Sequence, residues 1–284
     1  MRFTSLVTIA LSFAGVIQSL PLERRGITSL NGVTYTARNS NGECQSSQEI
    51  AASVKLMKSS GVHSIRTYSQ ECDQLPAILD AIKSQGGGMT VLASVWIDGT
   101  SKDQEEISTL KSVLANHDTS AITGILVGNE VLFNGVMPAS ELIKKFKAVK
   151  AISKGIDVGT AEMDVTYPQE LVDVSDFVAV NIHPYFSQVD IKNAMSNLND
   201  RYNAFKKVAG GKKTYIAEVG WPSAGASSGK AVPSVSNTET FASEISRTSL
   251  PYYFFEWQDS NWKSSGIESN FGLLNSNGKA KFGI

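Results

Sequence analysis

Residues 121–153 read AITGILVGNEVLFNGVMPASELIKKFKAVKAIS. The stretch opens with an apolar run typical of a buried strand, and it closes with an amphipathic pattern typical of a helix. Strand-like and helix-like segments of this kind alternate along the chain from Gly32 onward. Because strands that alternate with helices usually pair in parallel, the pattern favours a parallel sheet covered by helices.

Eight strand-like segments recur along the chain. They are GVTYTA, VHSIRTY, MTVLASVW, AITGILVG, IDVGTAEM, DFVAVNIH, KTYIAEVG and PYYFFEW. Eight strand–helix units over roughly 250 residues predict a closed (β/α)8 barrel that forms one compact domain without a large insertion. An open doubly wound sheet is the alternative. It predicts a Gly-x-Gly-x-x-Gly turn after the first strand, where the chain instead reads ARNSNGECQ.

The N-terminus has the pattern of a secretory signal peptide. A basic residue precedes an apolar run from Leu6 to Ile17, and small or polar residues follow it. We expect the signal peptide to cover residues 1–19. The dibasic pair Arg24-Arg25 is a candidate processing site, and cleavage there would leave residues 26–284 as the barrel domain.

Charge and hydropathy narrow the classes of partner. The formal net charge is −1 and no basic run occurs, which argues against a nucleic acid partner. No apolar segment is long enough to span a bilayer, and the C-terminal residues lack the apolar tail that directs lipid anchoring. We therefore expect a soluble, secreted monomer without a membrane anchor.

The chain contains two cysteines, Cys44 and Cys72. In a secreted protein an even pair is most simply a disulfide, and a reduced pair of structural thiols is the alternative. The strand pattern places both cysteines just past the ends of neighbouring strands, which favours the bridge.

Polar residues are concentrated where the strand segments end, which is where a (β/α)8 barrel carries its functional residues. These residues are Arg66, Tyr68, Trp96, Asn129, Glu130, Asn181, His183, Tyr185, Glu218, Trp221, Glu256 and Trp257. A single acidic residue at such a position is often only a helix cap or the partner of an arginine. Glu130 and Glu218, however, have apolar residues on both sides, and a buried unpaired carboxylate is costly. These two are therefore the candidates for chemistry.

Two carboxyl groups across one barrel mouth suit the cleavage of a glycosidic bond. The leaving oxygen needs a proton, and the anomeric carbon needs water or a nucleophile. Aromatic rings offer flat apolar faces to sugar rings, while asparagine, arginine and glutamate bind hydroxyl groups. Neither a His-Glu-x-x-His motif nor a Cys/His cluster occurs, so we expect no catalytic metal and no cofactor.

Four separated motifs carry a more specific signal: GVHSIRTY, GILVGNE, VAVNIHPYF and TYIAEVGWPS. In this order, each at a strand end, they resemble glycoside hydrolase family 17, the β-1,3-glucanase and β-1,3-glucanosyltransferase family, and especially its fungal cell-wall members. The resemblance implies a catalytic (β/α)8 barrel that retains the anomeric configuration, with Glu130 as general acid/base and Glu218 as nucleophile. It also implies a subsite for the attacked sugar that is lined by Tyr68, Asn129, Tyr185 and Trp257.

Five further residues complete the expected substrate-binding set: Tyr35, Arg66, Asn181, Trp221 and Glu256. Arg66 either orients Glu218 or is a structural partner in the barrel floor. Glu256 either binds a sugar hydroxyl or pairs with a cation. Trp221 is expected to hold an acceptor sugar by stacking.

The two carboxyl groups should differ in protonation. Glu130 must be protonated near neutral pH to act as the acid, so we expect its apolar surroundings and the charge of Glu218 to raise its pKa. Once a glycosyl-enzyme forms, the charge of Glu218 is gone and Glu130 can become the base. A retaining pair also predicts carboxyl groups about 5 Å apart.

Three functions remain open, with β-1,3-glucan and laminari-oligosaccharides as the expected partners in the cell wall or extracellular space. In a glucanosyltransferase another glucan resolves the covalent intermediate, and in an endo-β-1,3-glucanase water does; the two share every catalytic residue. A single helix separates VAVNIHPYF from TYIAEVG, and this compactness is similar to that of fungal relatives that are often transferases. The third possibility is a secreted wall protein that binds β-glucan without cleaving it.

Overall fold

The computed structural model describes residues 27, 29–263 and 266–284. The predicted signal peptide over residues 1–19 and the predicted propeptide up to Arg25 lie outside these ranges. Within them the chain forms a closed barrel of eight parallel strands, each hydrogen-bonded to the next in sequence order. The eighth strand pairs with the first, so the predicted (β/α)8 fold is confirmed.

The strands are short and the helices lie between them. The strands are β1 (Val33–Thr34), β2 (Ser64–Arg66), β3 (Thr90–Val95), β4 (Ile122–Asn129), β5 (Val158–Met163), β6 (Phe177–Asn181), β7 (Lys213–Val219) and β8 (Tyr252–Phe254). The helices are α1 (Ser47–Ser59), α2 (Gln74–Ser84), α3 (Lys102–Asn116), α4 (Ala139–Ile152), α5 (Gln169–Val174), α6 (Ala194–Val208) and α7 (Val235–Ile245). The described residues that follow β8 form a 3₁₀ helix (Ile267–Ser269) but no further α-helix. In the described ranges, none of the helices combines the length and apolarity needed to cross a membrane.

Helix α1 illustrates how local sequence sets the outer layer. Ile50, Val54 and Met57 are buried on one face, at the spacing of an amphipathic helix. Ser46 caps the N-terminus: its hydroxyl accepts the N–H of Glu49 at 3.3 Å, and its own N–H donates to the Glu49 carboxylate at 2.7 Å. The residues around Ser46 thus determine where the helix begins, and the apolar spacing determines which face packs on the barrel.

The inside of the barrel is filled by side chains, not by a pore. One buried cluster consists of Leu92, Leu126, Ala161, Phe177, Ala179, Tyr215, Ala217 and Tyr253. Glycines make room for the Phe177 ring, since a Cβ at Gly124 would lie 2.9 Å from that ring, and one at Gly159 would lie 2.7 Å from it. Because side chains fill the interior, a ligand can bind only at an end of the barrel.

Two loops at the C-terminal ends of the strands are fastened together. Cys44, before α1, and Cys72, in the 3₁₀ helix after β2, form a disulfide with their Cα atoms 5.3 Å apart. The predicted bridge is therefore present. Arg38 and Glu71 join the same two loops through an ion pair of 2.5 Å. The disulfide and the ion pair thus hold these two loops together at the mouth of the barrel.

Candidate active site

A cleft of about 560 Å³ opens at the C-terminal ends of the strands. Glu130, which follows β4, and Glu218, near the end of β7, both line it, together with Tyr68, Trp96 and Asn129. Strands β4 and β7 lie on different sides of the barrel. The closed barrel therefore brings together two carboxyl groups that are far apart in sequence.

Three side chains connect the two carboxyl groups by hydrogen bonds. Arg66 donates from Nη1 to Glu218 Oε1 at 2.9 Å and from Nη2 to Asn129 Oδ1 at 2.7 Å. Asn181 Nδ2 lies 3.0 Å from Asn129 Oδ1 and 2.8 Å from Glu130 Oε1. Arg66 and Asn181 are fully buried. Of the two roles open for Arg66, the structure shows the one in which it contacts Glu218.

The surroundings of Glu218 keep it ionised. Burial alone would raise the pKa of this carboxyl group, but the hydrogen bond with His183 and the charge of Arg66 outweigh burial and lower the pKa to about 2. His183 Nε2 lies 3.4 Å from Glu218 Oε2. A carboxylate that is ionised throughout the physiological pH range is available as a nucleophile.

Glu130 has the opposite electrostatic setting. Burial and then the charge of Glu218 raise its pKa, and the hydrogen bond from Asn181 offsets only part of this rise. The predicted direction and its two causes are confirmed. Two carboxyl groups whose environments separate their pKa values are suited to different roles, one as an acid and one as an anion.

Glu130 lies in an unusual backbone turn. Its φ angle is +54°, in the left-handed region, and that of Gly128 is +76°. Only glycine fits at position 128, because a Cβ there would lie 2.5 Å from Val131 Cγ2. The N–H of Glu130 donates to the carbonyl of Ala161 in β5 at 2.8 Å. A left-handed non-glycine residue costs on the order of 1–3 kcal/mol and persists where the surroundings hold it.

Tyr68 and Asn129 reach the cleft as the sequence predicts. The Arg66 guanidinium carbon lies 4.5 Å from the centroid of the Tyr68 ring. The buried Tyr68 hydroxyl lies beside Glu218 and Thr34, and its interaction with Glu218 helps to lower the pKa of that carboxyl group.

Tyr35, Glu256 and Trp257 line a smaller polar pocket beside the cleft, not the cleft itself. The Tyr35 hydroxyl donates to the side-chain oxygen of Gln45. Glu256 accepts a hydrogen bond from Lys263 Nζ at 3.0 Å. Of the two alternatives for Glu256, the structure therefore shows the pairing with a cation. Trp257 is almost fully buried, and its indole N–H has no partner in the part of the chain that the structure describes.

Two predicted aromatic residues lie inside the protein. Trp221 is fully buried, packs against Tyr185 and Phe241, and donates its indole N–H to the carbonyl of Val232 at 3.0 Å. The prediction that Trp221 stacks on an acceptor sugar is wrong, because its ring has no exposed face. Tyr185 is 2% exposed, and its hydroxyl donates to the carbonyl of Ala226. It does not line the cleft as expected, because protein groups occupy both its ring and its hydroxyl.

Several residues at the cleft escape the sequence reasoning. Trp262 is 40% exposed at the cleft, with Arg38 and Lys263 beside its ring at 6.0 and 5.6 Å. Arg38 and Trp262 lie in loops without periodic pattern, so no signal marks them. Trp96, noted at a strand end, is also 40% exposed and lines the cleft. These exposed rings are the flat surfaces that the buried Trp221 does not supply.

Two buried carboxyl groups were also missed. Glu106 in α3 accepts the N–H groups of Gln70 at 2.8 Å and Trp96 at 2.9 Å, and burial raises its pKa to about 7. Glu162 in β5 is buried in the same manner, and its pKa is also raised to about 7. The signal for Glu162 was its position near the end of a strand, which also marks Glu130 and Glu218.

The cleft offers acid–base and nucleophilic groups side by side. In the described ranges, no group of three or more His, Cys, Asp or Glu side chains is placed to hold a metal ion. What the cleft does contain is an anionic carboxylate, a carboxyl group with a raised pKa, and hydrogen-bond donors between them. That arrangement can protonate a leaving oxygen while it presents a nucleophile to the adjacent carbon.

Comparisons with known proteins identify the family. Residues 32–272 match the BtgE/BtgC glycoside hydrolase domain. A probable family 17 glucosidase of Saccharomyces cerevisiae is 30% identical over 259 residues, which cover 86% of this chain and 64% of that protein. The chain belongs to glycoside hydrolase family 17. The resemblance carried by the four motifs is thereby confirmed, and the barrel is a glycoside hydrolase domain.

Two further relatives of this family 17 chain are informative. A β-1,3-glucanosyltransferase of Rhizomucor miehei, an active-site mutant in complex with laminaritriose, superposes with a TM-score of 0.83 at 30% identity. The match covers 91% of this chain and 98% of that one. A probable beta-glucosidase, btgE, of Aspergillus fumigatus is 29% identical over 83% of this chain. The family 17 chain spans 43% of the length of the Aspergillus protein and 64% of that of the yeast protein.

Proposed function

We propose that this family 17 domain cleaves β-1,3-glucan with retention of configuration and transfers the released glucan to another glucan or to water. The observation that carries the proposal is the opposite electrostatic setting of Glu130 and Glu218 in one cleft. The similarity to a glucanosyltransferase in complex with laminaritriose supports the substrate class. The predicted separation of about 5 Å between the two carboxyl groups belongs to the same proposal.

In the first step Glu218 attacks the anomeric carbon while Glu130 gives its proton to the leaving oxygen. Arg66 and His183 keep Glu218 ionised until the attack. Asn129 Oδ1 already accepts hydrogen bonds from its buried neighbours, so its NH₂ group is the donor left for a sugar hydroxyl. A bond to the 2-hydroxyl would strengthen as positive charge develops on the ring.

In the second step the roles of the carboxyl groups change. Glu218 is now part of an ester and carries no charge, so one of the causes of the raised Glu130 pKa is gone. Glu130 can then accept a proton from the incoming hydroxyl group, which attacks the anomeric carbon and releases Glu218. Whether that hydroxyl belongs to glucan or to water decides between a transferase and a hydrolase.

Product length distinguishes these outcomes. The purified protein is incubated with one laminari-oligosaccharide over a range of concentrations, and the products are measured by mass spectrometry. We expect products longer than the substrate, in a share that grows with substrate concentration because acceptor sugar then competes better with water. Glu218→Gln is the control and should give none. Only shorter products would establish a hydrolase, and no products from the parent protein would favour a glucan-binding protein.

We also propose that the protein is secreted to the cell wall or extracellular space. The disulfide between Cys44 and Cys72 supports this, because such bonds persist in oxidising compartments. N-terminal sequencing of the protein recovered from culture medium tests the processing step. The expected start is Gly26, directly after the dibasic pair. A start well before Gly26 would reject processing at that pair.

A further inference from the structure

A third carboxyl group, that of Glu162, lies behind Glu130 and is not used by the proposed mechanism. It belongs to β5 and is fully buried. Its Oε1 accepts the N–H of Leu132 at 2.9 Å, and its Oε2 accepts the N–H of Phe133 at 3.3 Å. The preceding residue, Ala161, accepts the N–H of Glu130. Two consecutive residues of β5 therefore hold Glu130 and the turn after it.

The turn itself begins at the left-handed Glu130 and is closed by its own backbone. The N–H of Asn134 donates to the carbonyl of Glu130, and the N–H of Val136 donates to that of Val131, both at 2.9 Å. These bonds do not satisfy the N–H groups of Leu132 and Phe133, which donate to Glu162 instead. A left-handed non-glycine residue persists only where its surroundings hold it. The Glu162 carboxylate, which binds the turn, therefore helps to fix the position of the Glu130 side chain.

We propose that Glu162 is a positioning residue for the acid/base Glu130: it holds the turn that carries Glu130 and places a negative charge behind it. This inference rests on the proposed role of Glu130. A neutral side chain of the same shape would hold the turn only in part and would place no negative charge near Glu130. The two effects can therefore be separated by substitution.

The charges of Glu162 and Glu130 act on each other. Burial raises the pKa of Glu162 to about 7, the backbone N–H groups offset part of that rise, and the charge of Glu130 adds to it. Such coupling is reciprocal, so an ionised Glu162 favours the protonated form of Glu130. In a family 17 mechanism the protonated form is the one that can start the reaction, and its loss sets the basic limb of the pH–activity profile.

Other charged and titratable groups among the described residues also act on the pair. Glu218 opposes ionisation of Glu130, whereas Arg66 and His183 favour it. Tyr167, in the segment after β5, faces Glu162; burial raises the pKa of its phenol, and its hydroxyl donates to the carbonyl of Thr160 at 3.1 Å. None of these groups is removed when Glu162 is replaced, and burial keeps the pKa of the Tyr167 phenol raised, so a shift of the basic limb would report on Glu162.

The test compares Glu162→Gln with Glu106→Gln in the pH dependence of kcat/KM on a laminari-oligosaccharide. Glu106 is a matched control because it is a buried carboxyl group that also accepts two backbone N–H groups and has a pKa of about 7, but Glu71 and Asp98 are its charged neighbours. We expect Glu162→Gln to move the basic limb to lower pH by about 0.5 unit or more. Glu106→Gln should leave that limb in place. Coinciding limbs in the parent protein and Glu162→Gln would overturn the proposal.

Glu162→Asp keeps the charge but shortens the side chain, and it serves if the glutamine variant does not fold. We expect a lower kcat with the basic limb close to that of the parent protein; unchanged kcat would reject the positioning role. Carbon-13 NMR titration of the Glu130 carboxyl group gives a readout that does not need activity. A lower pKa of Glu130 in Glu162→Gln supports the coupling even if the parent protein cleaves no glucan, in which case the proposed function alone fails.

Discussion

Glu218→Gln is expected to lower kcat/KM on laminari-oligosaccharides by about 10³-fold or more, because an amide cannot form the glycosyl-enzyme. Glutamine keeps the size of the side chain and an oxygen that can accept the Arg66 hydrogen bond, so the fold and the cleft should remain. Glucan cleavage is measured by reducing ends released, and laminari-oligosaccharide binding by calorimetry. Lost cleavage with binding kept would establish catalysis at Glu218. Equal, negligible activity in parent and variant would favour a glucan-binding protein.

Glu130→Ala is the companion variant for this prediction. On natural glucan it should lose about 10²–10⁴-fold, the range of general acid–base catalysis. An aryl β-laminaribioside with a good leaving group needs little help from an acid, so glycosylation continues and the glycosyl-enzyme waits for a base. Azide needs no base, so it should attack the anomeric carbon of the glycosyl-enzyme and release a glycosyl azide of β configuration. Failure of azide to restore turnover would argue against Glu130 as the acid/base.

Arg66→Met is expected to have the second large effect, on stability and on the acidic limb of activity together. Arg66 is fully buried and pairs with the buried Glu218 at 2.9 Å. Removing one partner of a buried ion pair costs about 3–5 kcal/mol of unfolding free energy. Without the guanidinium the pKa of Glu218 rises from about 2, so Glu218 loses its charge at a higher pH. The acidic limb of the kcat/KM profile should therefore move to higher pH.

The pH dependence of the unfolding free energy gives a second test of the Arg66→Met prediction. The lowered pKa of Glu218 contributes stability that is present above the unfolded value of 4.5 and lost as pH falls toward about 2. The stability difference between parent and Arg66→Met should therefore be largest at neutral pH and shrink on acidification. Arg201→Met is the control. Arg201 donates hydrogen bonds to the Asp164 carboxylate at 2.5 and 2.7 Å, and neither residue lines the cleft. Acidic limbs that coincide in the parent protein and Arg66→Met would contradict the assigned role of Arg66.

The fold was predictable because parallel barrel strands are buried on both faces and read as apolar runs. In β3, every residue after Thr90 is buried. The limits of the strands were less predictable. GVTYTA suggests six residues, yet only Val33–Thr34 form β1, and the N–H of Tyr35 still bonds to Arg66 at 2.9 Å. Where a ladder stops depends on the register of the neighbouring strands, which a single sequence does not contain.

The carboxyl pair was predictable and the aromatic residues were only partly so. A carboxylate after an apolar run is conspicuous in any sequence, which singled out Glu130 and Glu218. Position after a strand does not say which way a side chain points, and the turn after β7 directs Trp221 against Phe241 in α7. Glu106 did carry a signal, because it shares the buried face of α3 with residues such as Leu110 at helical spacing.

Trapping of the covalent intermediate tests the central claim most directly. A 2-deoxy-2-fluoro-β-laminaribiosyl fluoride has a good leaving group but slows release of the glycosyl-enzyme, because the fluorine destabilises the positively charged transition state of both steps. Mass spectrometry of the intact protein should show one added fluoro-laminaribiosyl group, and peptide mapping should place it on Glu218. The Glu218→Gln variant should take up none. A label on any other residue would contradict the account.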